Sequence, residues 1–88
     1  MRPESLIGAS SGAIYALLGK PDLVRHDRDV EVLQYPADTC ALLIYLYKPE
    51  GGGEPKTSFI DARDKQAGPA SPQACLAEAL QGRRTGTP

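Results

Sequence analysis

The feature that most constrains this chain is a single long apolar run at residues 39–48, TCALLIYLYK. Its leucines, isoleucine and tyrosines suit a pleated surface, and Gly and Pro follow soon afterwards, so the run predicts a central β-strand. Side chains alternate between the two faces of a strand. One face carries Cys40, Leu42, Ile44 and Leu46, and the other carries Ala41, Leu43, Tyr45 and Tyr47. Both faces are apolar, so one is expected in the core and the other needs a separate explanation.

Length and charge narrow the class of protein. The chain has 88 residues and a net charge of −1, from ten basic and eleven acidic side chains. A single domain of this size buries only about 60 to 65% of the surface of its unfolded chain, so its stability is marginal. The balanced charge gives no sign of a nucleic-acid partner. The longest uninterrupted apolar segment, residues 41–47, is too short for a membrane span.

Three further segments predict short strands, at residues 22–26, 30–35 and 56–62. Short connections make sequential strands antiparallel, so we expect a meander of three to four strands. In the last strand, period two predicts that Thr57, Phe59 and Asp61 share one face.

Two segments predict helices, at residues 10–18 and 72–81. Ser10 can cap the first helix and Gly19 can end it, while Ser71 can cap the second helix and Gly82 can end it. Together these elements predict one α+β domain over residues 1–82, in which an N-terminal and a C-terminal helix cover a small antiparallel sheet. Residues 83–88 have no apolar anchor and are expected to form a disordered tail.

Two cysteines, Cys40 and Cys75, are predicted on facing apolar surfaces of the central strand and the last helix. A disulfide between them would close a loop of about 35 residues and stabilise the domain by roughly 3 to 4 kcal/mol. The alternative is two buried, reduced thiols that act as small apolar side chains. Zinc is not expected, because the chain has one histidine and no Cys-x-x-Cys.

Residues 8–12, GASSG, satisfy the G-x-S-x-G pattern of hydrolase nucleophile elbows. That motif needs a preceding core strand and a large α/β sheet, whereas only seven residues precede it here. We therefore interpret Ser10 as a helix cap and expect no enzyme activity, no catalytic residue and no cofactor. His26 lies in a charged turn, where a lone histidine is usually solvated.

Residues 6–62, about two thirds of the chain, resemble the SmpA/OmlA family, the BamE-type envelope lipoproteins. The resemblance rests on LIGAS at residues 6–10, Ile14, LLGKPD at residues 17–22, and the strands up to residue 62. It implies a helical N-terminal part packed on an antiparallel sheet, as in β-lactamase-inhibitor-like modules, and a periplasmic or outer-membrane location where disulfides persist. No lipobox cysteine precedes the domain and the second helix lies C-terminal to the sheet, so the chain is similar to a diverged member. A lipid anchor on a longer protein stays open.

The second face of the central strand is the predicted binding site. Both helices are expected on the Cys40 face, which leaves Leu43, Tyr45 and Tyr47 exposed for a protein partner. Alternatively, Gln34 or Arg63 lies over them, or the first helix crosses to their side. We therefore expect a non-catalytic protein-binding module of the bacterial cell envelope, related to outer-membrane assembly or envelope integrity, with weak homo-oligomerisation as an open alternative. An inhibitor-like or regulatory domain of a larger protein is the second interpretation.

Overall fold

The computed structural model describes the backbone of residues 2–85 and the side chains of residues 2–81. Its elements in chain order are a 3-10 helix at Pro3–Leu6, helix α1 at Ser11–Leu18, strands β1 at Leu23–Asp27, β2 at Val30–Pro36, β3 at Cys40–Tyr47 and β4 at Lys56–Asp64, and helix α2 at Pro72–Thr85. The four strands form one antiparallel sheet in the order β1-β2-β3-β4. The predicted α+β meander with an N-terminal and a C-terminal helix is confirmed, and the 3-10 helix is an addition to it.

Helix α1 begins and ends through the residues that the sequence indicates. The Ser10 hydroxyl oxygen accepts a hydrogen bond of 3.2 Å from the N–H of Ala13. At the other end Gly19 has φ 83° and ψ −162°, and its N–H donates to the carbonyl of Tyr15 at 2.7 Å. This backbone conformation is essentially restricted to glycine, because a Cβ atom would collide with the neighbouring peptide groups.

Helix α2 begins at its predicted cap but continues further than predicted. The Ser71 hydroxyl oxygen accepts a hydrogen bond of 3.2 Å from the N–H of Ala74. The helix then runs through Gly82 to Thr85, which is possible because glycine inside a helix costs only about 1 kcal/mol relative to alanine. Residues 86–88 of the predicted tail lie outside the described residues.

The hydrophobic core lies between the sheet and the helices, on one side of the sheet. From the helical segments it includes Leu6, Ile14, Leu18, Cys75 and Leu76. From the sheet it includes Leu33, Tyr35, Cys40, Leu42, Ile44, Leu46, Ile60 and Ala62. The face of β3 that carries Cys40 is therefore the core face, as expected, and both helices pack against it.

Strand β4 contains an irregularity that period two does not predict. The register pairs Tyr45 with Phe59 and the next residue, Leu46, with Thr57, so Ser58 is an extra, unpaired residue. Such a bulge moves the side chains before it to the other face. Thr57 is consequently buried at 2% exposure on the core side, while Phe59 lies on the opposite side at 54% exposure. The prediction that these two side chains share a face is wrong.

Contacts with the N-terminal segment hold Thr57 in this position. Its hydroxyl group donates to the carbonyl of Ala9 at 3.0 Å, and its N–H donates to the same carbonyl at 2.8 Å. Its own carbonyl accepts a hydrogen bond of 2.7 Å from the N–H of Gly8. These three bonds satisfy the buried polar groups of Thr57 only when its side chain faces the helices.

Candidate functional site

The candidate site is the face of the sheet opposite the helices, which we call the open face. Its centre consists of side chains from three neighbouring strands: Val32, Leu43, Tyr45, Tyr47 and Phe59. Tyr45 lies in the middle, paired with Val32 of β2 on one side and with Phe59 of β4 on the other. The apolar surface therefore runs across the sheet as well as along β3.

Two aromatic rings form the middle of the open face. The ring centroids of Tyr45 and Phe59 are 5.5 Å apart, with an angle of 54° between the ring planes. Tilted pairs at this separation are favourable beyond the burial of their surface.

The side chains of the open face are accessible to different degrees. Phe59 and Tyr47 are 54% and 46% exposed, whereas Leu43 and Tyr45 are half-buried between their neighbours. None of the four belongs to the core cluster or packs against it in the described part of the chain. Ile14 of α1 is fully buried in that cluster, so the first helix packs on the core side and does not cross to the open face.

Polar side chains surround the apolar centre. The guanidinium of Arg63 lies 3.1 Å from the carboxylate of Asp61 at the β4 end. On the β1 side of the sheet, Arg25 and Gln34 line a depression together with Leu43. An apolar, aromatic centre within a polar rim is the arrangement found in protein–protein interfaces.

The sequence predicts three of the five central residues of the open face and misses Val32 and Phe59. The register between β3 and β4 places Phe59 beside Tyr45 on the open face. Period two groups Phe59 with Thr57, but the side chain of Thr57 is buried on the core side. A cross-strand aromatic pair was therefore the available signal, because aromatic side chains favour each other in neighbouring strands.

On the opposite side of the sheet, a disulfide joins Cys40 of β3 to Cys75 of α2. The Cα atoms of the two residues are 5.9 Å apart, within the usual range, and both residues are buried. The predicted pair is thus the one that the structure contains. It fixes α2 on the core face and keeps the open face free of this helix.

A carboxylate beside the disulfide makes a second link between α2 and β3. Glu78 accepts hydrogen bonds from the N–H of Thr39 at 2.8 Å and from its hydroxyl group at 2.6 Å. These two bonds, first from the hydroxyl and then from the backbone, lower the pKa of Glu78, and the charge of Lys65 adds to the effect. This pair is not among the features predicted from the sequence, although Glu78 lies one helical turn after Cys75 and Thr39 precedes Cys40.

Ser10 and His26, the other two candidate residues from the sequence, lie in different surroundings. Ser10 is occupied as the cap of α1. The side chain of His26 is 72% exposed, and its Nε2 atom lies 3.5 Å from the carboxylate of Glu31. Within the part of the chain that the structure describes, no three His, Cys, Asp or Glu side chains are grouped so that they could hold a metal ion. In the same part, no helix combines the length and the apolar character that a bilayer span requires.

Comparison with known proteins gives no match for this chain among protein-family models, curated proteins or solved structures.

Proposed function

We propose that this chain is a non-catalytic protein-binding module whose binding surface is the open face. The observation that supports this proposal most directly is the one-sided core: both helices pack on the Cys40 face, and the aromatic centre around Tyr45 faces solvent. A folded domain that retains exposed rings such as Phe59 and Tyr47 carries an apolar patch of the kind that marks interaction sites.

We further propose that the module acts in the bacterial cell envelope. The Cys40–Cys75 disulfide supports an oxidising compartment, because cytosolic reductants keep most protein thiols reduced. The resemblance of residues 6–22 to the SmpA/OmlA family points to the periplasm or the outer membrane, where the partner would be another envelope protein. A disulfide adds a large share to the stability of a domain of this size, which also favours an oxidising location.

Site-specific photo-crosslinking tests the proposed surface. A photoreactive amino acid is placed at Tyr47 or Phe59 on the open face, or at Tyr15, an exposed residue of α1 with 39% exposure. The protein is then expressed in a Gram-negative periplasm and irradiated. We expect a defined crosslinked protein from positions 47 and 59 and not from position 15, which serves as the matched aromatic control.

Binding of the purified partner provides the quantitative readout. Leu43→Ser and Tyr45→Ala should weaken the complex at least tenfold, as for residues at the centre of an interface. The free energy of unfolding should change by about 1 kcal/mol or less, since residues outside the core contribute little. A decrease of about 3 kcal/mol or more in the free energy of unfolding of either variant would instead show that these side chains belong to the core. The proposed surface would then not exist.

A further inference from the structure

The two edges of the sheet are protected to very different extents. At β4, two segments of the chain cover the outer edge, one through the bridge between Ser10 and Lys56 and the other through the bridge between Arg63 and Pro69. The N–H of Asp64 also donates to the carbonyl of Gly68 at 2.9 Å. The β4 edge is therefore closed at both ends by the protein itself.

The β1 edge has no such cover in the part of the chain that the structure describes. All five residues of Leu23–Asp27 are exposed, and β2 is the one strand that pairs with β1 among the described residues. Residues 28 and 29 form a two-residue turn between β1 and β2. The two residues that flank such a turn, here Asp27 and Val30, form a hydrogen-bonded pair. Because bonded and non-bonded pairs alternate along an antiparallel ladder, the peptide groups of Val24 and His26 point away from β2. They form a free template for another strand.

The charges on β1 match those of a second β1 strand in antiparallel orientation. If His26 lies opposite its own copy on a two-fold axis, Arg25 of each strand lies opposite Asp27 of the other. The arginine and the aspartate of each pair then lie on the same face of the joined sheet. Side chains of opposite charge attract each other in this cross-strand position. The alternative register centred on Arg25 places two like charges opposite each other and is disfavoured. The Arg-x-Asp pattern is thus self-complementary in one register.

We infer that two copies of this chain associate through their β1 edges in the register centred on His26, to form a continuous eight-stranded antiparallel sheet. The occupant of the edge is a second copy, because the charge pattern complements itself. The contact is short and partly charged, so the dimer forms at high protein concentration. It also places the two open faces side by side on one surface.

A charge-exchange experiment tests this register. Arg25→Asp makes the edge acidic and Asp27→Arg makes it basic, so each variant alone sets like charges opposite each other. We expect each to raise the dissociation constant of the homodimer about tenfold or more, as measured by sedimentation equilibrium at pH 8. An equimolar mixture of the two variants should form a heterodimer, and the double variant Arg25→Asp/Asp27→Arg should dimerise like the unmodified protein.

Amide hydrogen exchange identifies the backbone groups in the contact. The N–H of His26 should exchange about tenfold more slowly when nine-tenths of the chains are dimeric, whereas the N–H of Arg25, which faces β2, should not change. Phe59→Ala, which alters the open face on β4 and away from β1, should leave dimerisation unaffected. A protein that is monomeric at every concentration, or a mixture of the two single variants that fails to associate, would overturn the inference and leave the proposed function of the open face untouched. Protection of His26 only in the presence of another protein would also overturn the second-copy assignment.

Discussion

Glu78 joins helix α2 to the start of strand β3 by accepting two hydrogen bonds from Thr39, one from its backbone N–H and one from its hydroxyl group. The link lies one helical turn from the Cys75 end of the disulfide, so α2 is held to β3 by a covalent bond and by a carboxylate. Of these two links, the carboxylate responds to pH and the disulfide responds to reductants.

The first prediction concerns the pH dependence of stability. The bonds from Thr39 lower the pKa of Glu78 below its ordinary value of 4.5 in the folded protein. Folding therefore favours the ionised form, so this contribution to stability is fully present above the unfolded pKa and is lost as the pH falls through the folded pKa. Glu78→Gln should be less stable than the unmodified protein in urea unfolding at pH 7, and the difference should shrink at pH 3.

A matched control separates this effect from a general change of charge. Glu50→Gln removes the same charge from an exposed loop residue and should change stability by less than about 0.5 kcal/mol at either pH. An equal loss of stability in Glu78→Gln at both pH values would show that the carboxylate charge does not contribute.

The second prediction concerns the disulfide. Reduction of the Cys40–Cys75 bond, which spans 35 residues of sequence, should lower the free energy of unfolding by roughly 3 to 4 kcal/mol. Urea unfolding with and without reductant measures this difference. Intact-mass analysis after alkylation should detect no modified thiol in the untreated protein and two after reduction. Two modified thiols without reductant would contradict both the bond and the oxidising location.

The third prediction is that Ser10 has a structural role. Ser10→Ala removes the acceptor for the N–H of Ala13 and should cost about 0.5 to 2 kcal/mol of stability, whereas Ser10→Asn should retain most of it. The same two variants are assayed with an activated ester. Turnover that disappears in both folded variants would identify Ser10 as a nucleophile and contradict the non-catalytic proposal.

The fourth prediction compares two glycines of the first helical segment. Gly19→Ala should destabilise the protein by about 1 to 3 kcal/mol, because the backbone at φ 83° and ψ −162° is strained for any residue with a Cβ atom. Gly12→Ala lies inside α1, where the added Cβ would meet its nearest atom, the Ser10 hydroxyl oxygen, at an ordinary 3.9 Å. It should stabilise the protein by about 0.5 to 1 kcal/mol. Changes of the same sign in both variants would contradict the described end of α1.

Much of this fold follows from short-range patterns in the sequence. The apolar run at residues 39–48 predicts the central strand, its period predicts which side is core, and the caps Ser10 and Ser71 mark where both helices begin. The cysteine pair also follows, because one cysteine lies on the core face of a strand and the other on the apolar side of a helix. The strand and the helix caps depend on residues within a few positions of each other. The cysteine pair depends on two apolar faces that must be buried against each other.

The tertiary structure alone determines the bulge at Ser58, and with it the side of the sheet on which Thr57 lies. Period two is a local rule, whereas the side on which Thr57 lies depends on Ala9, which is 48 positions away and accepts two of its hydrogen bonds. A buried hydroxyl and a buried peptide N–H both need an acceptor, and Ala9 supplies it only on the helix side. Because of that requirement, the side chain of Thr57 points towards the core, while Phe59 lies beside Tyr45 on the open face.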